Sequence, residues 1–73
     1  MAVKVLAPFA CTVWQHSVSV GQEVIVGTDI MSIESMKMEV AIQAPCSGVV
    51  SWLKPMGEML EQGEPIAVLV PKQ

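Results

Sequence analysis

Residues 30–42 read Ile-Met-Ser-Ile-Glu-Ser-Met-Lys-Met-Glu-Val-Ala-Ile, two apolar segments joined by a polar one. The apolar residues of Ile30–Ile33 and Val40–Ile42 predict two β-strands. The charged segment between them predicts a hairpin turn with Lys37 at or beside its tip, because burying an unpaired ammonium group is costly. This stretch therefore predicts a β-hairpin that presents one lysine to solvent.

An internal repeat surrounds the hairpin, with an offset of 37 residues at first and 36 later. The matching pairs are Ala7-Pro8 with Ala44-Pro45, Thr12-Val13 with Val49-Val50, Val20-Gly21-Gln22 with Met56-Gly57-Glu58, Gly27 with Gly63, and 30–33 with 66–69. We therefore expect a single domain, 1–73, with repeat halves at about 3–36 and 38–71 and an approximate two-fold axis. The residue missing from the second copy predicts a changed turn or a β-bulge near Trp52–Pro55.

Each copy has the pattern of short strands separated by turns. Proline and glycine recur every few residues, so no stretch is long enough for a stable helix. The fold class predicted is all-β: a flattened β-barrel or sandwich, a barrel-sandwich hybrid or hammerhead, built from two quasi-symmetric four-strand repeats. Such closure hides strand edges that would otherwise promote aggregation.

Composition excludes several classes of function. The chain has 73 residues and a net charge of −3, which fits one small domain and argues against a self-sufficient enzyme. Its four lysines are scattered, unlike the clustered basic residues of nucleic-acid binders. No apolar run is long enough to span a bilayer and no signal peptide is evident, so we expect a cytoplasmic protein, or an organelle-matrix protein if an imported precursor was trimmed. Cys11 and Cys46 are expected to be reduced thiols.

The residues around Lys37 have more than one interpretation. Met36 and Met38 flank the lysine on an apparently exposed turn, which suggests contact with another molecule, although methionines usually pack in a core. Glu34 and Glu39 are either solvated charges or weak cross-strand partners of Lys37. Composition and spacing alone therefore predict a symmetric β domain with one unexplained lysine.

The order Glu34-Ser35-Met36-Lys37-Met38-Glu39, followed by Ala44-Pro45 and the later glycines, resembles the biotinyl domain (biotin carboxyl carrier) family. The attachment motif of that family is Glu-Ala/Ser-Met-Lys-Met, and the resemblance spans essentially the whole chain. The sequence departs from the family where Cys11 replaces a common glycine at the counterpart of Gly48. An ordinary β conformation that tolerates a side chain is expected there.

The resemblance implies that Lys37 is the site of covalent biotin attachment, through an amide formed by biotin protein ligase. The biotinyl group would act as a swinging arm, which carries a carboxyl group from a biotin carboxylase site to a carboxyltransferase site. The flanking residues implied in recognition are Glu34, Ser35, Met36, Met38 and Glu39. The domain would be a non-catalytic, monomeric carrier with no metal, and its acceptor substrate would be chosen by the partner enzymes.

Two other functions remain open at this stage. Lipoyl domains of 2-oxo acid dehydrogenase complexes share the repeat and the lysine position, but they typically place Asp before the lysine and Ala after it. Met36 and Met38 favour biotin over lipoate. An unmodified β-hammerhead that serves only as an interaction module would leave the motif unexplained, and a domain that accepts both cofactors is a further alternative.

Overall fold

The computed structural model describes residues 2–72, which form eight β-strands in two four-stranded antiparallel sheets. The strands are β1 (Val3–Leu6), β2 (Cys11–His16), β3 (Glu23–Val24), β4 (Asp29–Ser35), β5 (Met38–Gln43), β6 (Gly48–Leu53), β7 (Met59–Leu60) and β8 (Pro65–Pro71). Over these residues there is no helix, and hence no helix able to cross a membrane. The all-β prediction is confirmed.

The two sheets interleave the two halves of the chain. One sheet has the strand order β1-β8-β6-β3 and the other β5-β4-β2-β7, so each sheet takes two strands from each half. Backbone hydrogen bonds also cross between halves: the amide of Gly21 donates to the carbonyl of Val50 at 2.7 Å, and that of Gly57 donates to Val13 at 2.8 Å. The halves therefore fold around each other.

An approximate two-fold relation equates β1–β4 with β5–β8. The two bonds above form one equivalent pair, and β4 and β8 have the same alternation of buried and exposed residues. Both β2 and β6 are bulged where they pair with β4 and β8, between Val13 and Gln15 and between Val50 and Trp52. The bulge is thus common to both copies. The missing residue instead shortens the connection after β6, 54–58, relative to its counterpart 17–22.

The core lies between the sheets and is wholly apolar. Inward-facing residues from both sheets, including Ile30, Ile33, Ile66 and Leu69, have no exposed surface. Each such side chain contributes roughly 1.5–3 kcal/mol when it is removed from water. Among residues 2–72 no polar or charged residue is buried, so the sandwich is held by apolar packing and strand pairing.

The β4–β5 hairpin corresponds by this symmetry to the pair β8 and β1. A two-residue connection closes β4 to β5, whereas β8 and β1 are paired but carry the two ends of the chain. The turn that bears Lys37 therefore has no equivalent turn between β8 and β1.

Candidate functional site

Lys37 lies in a two-residue turn between β4 and β5. Ser35 and Met38 form the last registered pair of the hairpin, which leaves Met36 and Lys37 as the loop. Their φ angles are 50° and 67°. Positive φ at both central residues is the signature of a type I′ turn, whose twist matches that of the two strands.

The backbone of this turn is strained by its own side chains. Type I′ turns usually contain Asn or Gly, because a β-carbon in the left-handed region costs about 1–2 kcal/mol per residue. Here Met36 and Lys37 both bear that cost, and the ladder of six registered pairs between β4 and β5 holds them in place. A strained turn held by a strand ladder is typical of a functional site, since stability alone would favour smaller residues.

The Lys37 side chain is exposed at the turn and is free of ion pairs. The salt bridge found within residues 2–72 joins Lys72 to Glu23 at 3.1 Å, remote in sequence from the turn. Glu34 and Glu39 face each other across the hairpin, both exposed, and neither is bonded to Lys37. The interpretation of these glutamates as partners of Lys37 is therefore wrong, and two like charges oppose each other in the second strand pair from the turn.

Both methionines project into solvent. Met36 is 93% exposed and Met38 is 64% exposed. Met38 lies on the same strand face as Val40 and Ile42, which pack on the core, but it lies beyond the end of that core. The alternative of core packing for these methionines is wrong, and contact with another molecule remains as their interpretation.

An apolar cavity of about 270 Å³ adjoins the turn. Its lining residues are Phe9, Ser35, Met36, Met38 and Val40. Met36 also borders a second cavity of about 220 Å³, which is lined in addition by residues of β2 and β7 and by Glu34. Lys37 therefore lies in the chain between two methionines, Met36 and Met38, which both border apolar surface.

The sequence analysis missed Phe9 and Val40 as neighbours of the site. Val40 lies on β5 itself, on the same strand face as Met38, so strand alternation could have found it. Phe9 reaches the site because the β1–β2 loop lies beside the hairpin, which no local pattern specifies. For Phe9 one signal was available, because the repeat offset equates Phe9 with Cys46, and so places a large aromatic residue in only one of the two halves.

Cys11 and Gly48 occupy equivalent positions in different surroundings. A β-carbon on Gly48 would lie 2.4 Å from the carbonyl oxygen of Val70, so close approach of backbone requires glycine there. The β6–β8 pairing includes Gly48 with Pro71, whereas the β2–β4 pairing begins one position later, at Thr12. The Cys11 side chain is accommodated by this shorter ladder. It is buried, and burial raises the pKa of its thiol.

Elsewhere in residues 2–72, few side chains are arranged for catalysis or ligand binding. A cavity of about 460 Å³ lies beside His16 and Val18, but the His16 Nε2 is already hydrogen-bonded to the Lys54 carbonyl at 2.7 Å. Within residues 2–72, no three His, Cys, Asp or Glu side chains are grouped to hold a metal ion. The turn bearing Lys37 is thus the strongest candidate for a functional site.

Comparisons with known proteins concern the chain as a whole. Residues 3–69 match the family described as "Biotin-requiring enzyme", the biotin/lipoyl family. A relative from Mycobacterium leprae (strain TN), "Biotinylated protein TB7.3 homolog", is 34% identical over 70 residues, which cover 94% of this chain and 99% of the relative.

Two solved structures share the fold. The Kluyveromyces lactis urea carboxylase matches 96% of this chain with a TM-score of 0.89 and 31% identity. A single-chain, multi-domain long-chain acyl-CoA carboxylase matches 99% with a TM-score of 0.88, and at 22% identity it supports the fold alone. The chain spans only 6% and 7% of those two proteins. On the family match and the biotinylated relative together, the chain belongs to the biotin-requiring family of biotin/lipoyl attachment domains.

Proposed function

We propose that this chain is a biotin carboxyl carrier domain in which Lys37 bears the biotin. The observation that carries the proposal is an exposed lysine, free of ion pairs, on a rigid two-residue turn in a member of the biotin-requiring family. The family match and the biotinylated relative confirm biotin as the expected covalent cofactor. Assignment of the attachment to Lys37 is our inference from the resemblance of its motif to that of the biotinyl family, together with its exposed place on the turn.

The turn positions the Lys37 side chain for the attachment reaction. The Lys37 Nζ must lose a proton and attack the acyl carbon of biotinyl-adenylate, which forms an amide and releases AMP. Biotin protein ligase would supply the adenylate and the base that takes the proton. The fixed turn holds the amine away from the sandwich, so a ligase can enclose it without distorting the strands.

After attachment, the chain acts through geometry. Bound biotin supplies a ureido nitrogen that accepts and releases a carboxyl group. Lys37 loses its charge in the amide, and its four methylenes become part of a long flexible arm. A tether of this kind raises the effective concentration of the group at each partner site without any new contact. The rigid hairpin therefore sets the point from which the arm swings.

The partners proposed are a biotin carboxylase and a carboxyltransferase, as subunits or as domains of one chain. The two solved neighbours are carboxylases in which a matching domain forms a small part of the whole protein. In this proposal the chain is a non-catalytic, monomeric carrier, and the partner enzymes choose the acceptor substrate. The exposed methionines and the two glutamates beside Lys37 would form the surface that the partners recognise.

Intact-mass measurement after co-expression with biotin ligase and excess biotin tests the attachment. We expect one biotin amide, located at Lys37 by tandem fragmentation. Lys37→Arg should prevent labelling while it keeps the circular dichroism spectrum of the parent. Lys54→Arg is the matched control and should be labelled fully, because Lys54 lies after β6, outside the turn.

Other outcomes would reassign the protein. A lipoyl increment on Lys37 from cells supplied with lipoate, without biotin, would place it among lipoyl carriers. An unmodified mass, with the ligase active on a control substrate, would leave an interaction module as the remaining function.

A further inference from the structure

We propose that the cavity beside the β4–β5 turn is a docking site for the ring system of the biotin carried on Lys37, occupied when the arm is between partner enzymes. The proposal rests on the function proposed above. The residues proposed to contact the ring system are Phe9, Met38 and Val40. In this proposal, the biotinyl arm exchanges between a docked state and a free state.

The first observation is an asymmetry that the fold does not require. Phe9 is 37% exposed in the β1–β2 loop, and its counterpart in the other half is Cys46, a half-buried residue that packs against the core. Since the same loop closes in both halves, a phenylalanine is not needed to form it. The aromatic ring is present only in the half where it lines the cavity beside the turn that bears Lys37.

The second observation is the chemistry of the cavity. Phe9, Met38 and Val40 provide an aromatic ring, a thioether and a branched alkyl group, and Val40 also packs against the core. Ser35 is the sole residue in the lining with a polar side chain. The thioether-containing ring and alkyl chain of biotin match such a wall, while the ureido edge can face solvent and the Ser35 hydroxyl.

The third observation is size. The cavity volume of about 270 Å³ lies just below the range of small-molecule pockets, roughly 300–1,000 Å³. A space of this size suits two fused five-membered rings. It is too small for a helix or a strand of a partner protein, although a single partner side chain would fit.

The tether decides between these two occupants. Met36 and Met38, the neighbours of Lys37 in the chain, both line the cavity, so the tether of the attached group begins at the edge of the cavity. Short flexible tethers give effective concentrations in the millimolar range. A site far too weak to hold free biotin is therefore occupied by the attached one, whereas a partner side chain reaches it only during an encounter.

Nuclear magnetic resonance of the whole chain, with and without biotin, tests the docking directly. The mass spectrum must first show biotin on Lys37. We then expect nuclear Overhauser contacts between the biotin ring protons and the Phe9 ring or Val40 methyls, and shifts of these signals on biotinylation. Signals from Trp14, which lies on β2 away from both cavities of the turn and is 49% exposed, should stay unchanged.

Capture of the biotinylated chain by streptavidin provides a second readout. A docked ring cannot bind streptavidin, so the association rate is proportional to the fraction of arms that are free. Phe9→Ser should raise this rate roughly threefold to tenfold if most arms of the parent are docked. Trp14→Ser is the matched control, an exposed aromatic residue outside the cavity, and should leave the rate unchanged. The measurement on the parent chain by resonance remains informative even if Phe9→Ser does not fold.

The outcomes separate the two proposals. Biotin on Lys37 without ring contacts, and equal capture rates for the parent and both variants, would overturn the docking and leave the carrier function intact. The cavity would then be assigned to a partner side chain. Absence of biotin from Lys37 would overturn both proposals. Ring contacts in the parent, lost in Phe9→Ser, would support docking.

Discussion

Replacement of Gly48 by alanine should destabilise this domain because of a backbone contact. The added β-carbon would stand 2.4 Å from the Val70 carbonyl oxygen, 2.9 Å from its carbon and 3.0 Å from the Pro71 Cα. All three atoms belong to the backbone of β8, so no side-chain rotation can relieve the overlap. The end of β8 must move away by about 1 Å to reach ordinary contact.

The cost follows from the strand pairs that this movement breaks. Gly48 pairs with Pro71 and Val49 with Val70, at the end of the β6–β8 ladder. Losing about two backbone hydrogen bonds, each worth near 1 kcal/mol net, lowers the free energy of unfolding by about 2 kcal/mol. In a domain of this size that lowers the melting temperature by about 8–16 °C.

Thermal unfolding followed by circular dichroism measures this shift, and Gly63→Ala is the matched control. Gly63 has a φ of +88°, whereas Gly48 has no positive φ, and a β-carbon on Gly63 meets nothing within 4 Å. Its alanine variant should lose the left-handed strain of about 1–2 kcal/mol, or about 4–16 °C, without any backbone clash. A Gly48→Ala variant that melts at the temperature of the parent would refute the argument from close approach. Biotin labelling of the Gly48 variant should match that of the parent, since the clash lies in the sheet that does not contain the β4–β5 hairpin.

Three further predictions follow from the symmetry, the charges and the thiol. Ile30→Ala and Ile66→Ala should each lower the free energy of unfolding in urea by about 2–5 kcal/mol, and by similar amounts, because these equivalent residues have no exposed surface. A large difference between the two variants would contradict equivalent packing. Glu34→Gln should raise the melting temperature at low salt by removing a like-charged cross-strand pair, and the gain should vanish in 1 M salt; a gain insensitive to salt would contradict the charge argument. Because burial raises the Cys11 thiol pKa, its contribution to stability is present below about pH 8.5 and is lost as pH rises through the folded-state pKa. Under reducing conditions, the parent should therefore lose more unfolding free energy than Cys11→Ala between about pH 7 and pH 10, and parallel profiles would contradict this.

Much of the fold could be predicted from local patterns because the chain repeats itself. Alternating apolar residues, with turn residues every few positions, predict short strands, and the offset between Gly21 and Gly57 pairs the two halves. The bulges could not be placed in this way. The missing residue predicted a changed turn or a bulge in the second copy. The connection after β6 is indeed shorter, but both copies contain a bulge, because a bulge depends on pairing with a neighbouring strand.

The candidate site was predicted in part. Lys37, with the two methionines and glutamates around it, stands out in the sequence as a charged hairpin between apolar strands. The relation of Glu34 to Glu39 was beyond local reasoning, since only the register shows that these two carboxylates oppose each other and leave the amine unpaired.

By itself, the sequence determined the strands, the two-fold repeat and the lysine at their junction, because alternation and turn chemistry are properties of neighbouring residues. Tertiary structure alone decided the interleaving of the halves, the left-handed backbone at Met36 and Lys37, and the cavity that Phe9 completes. These features arise where segments distant in the chain meet, or where a strand ladder holds a turn against its intrinsic preference. A local pattern carries no record of such contacts, since they depend on register and packing across the two sheets.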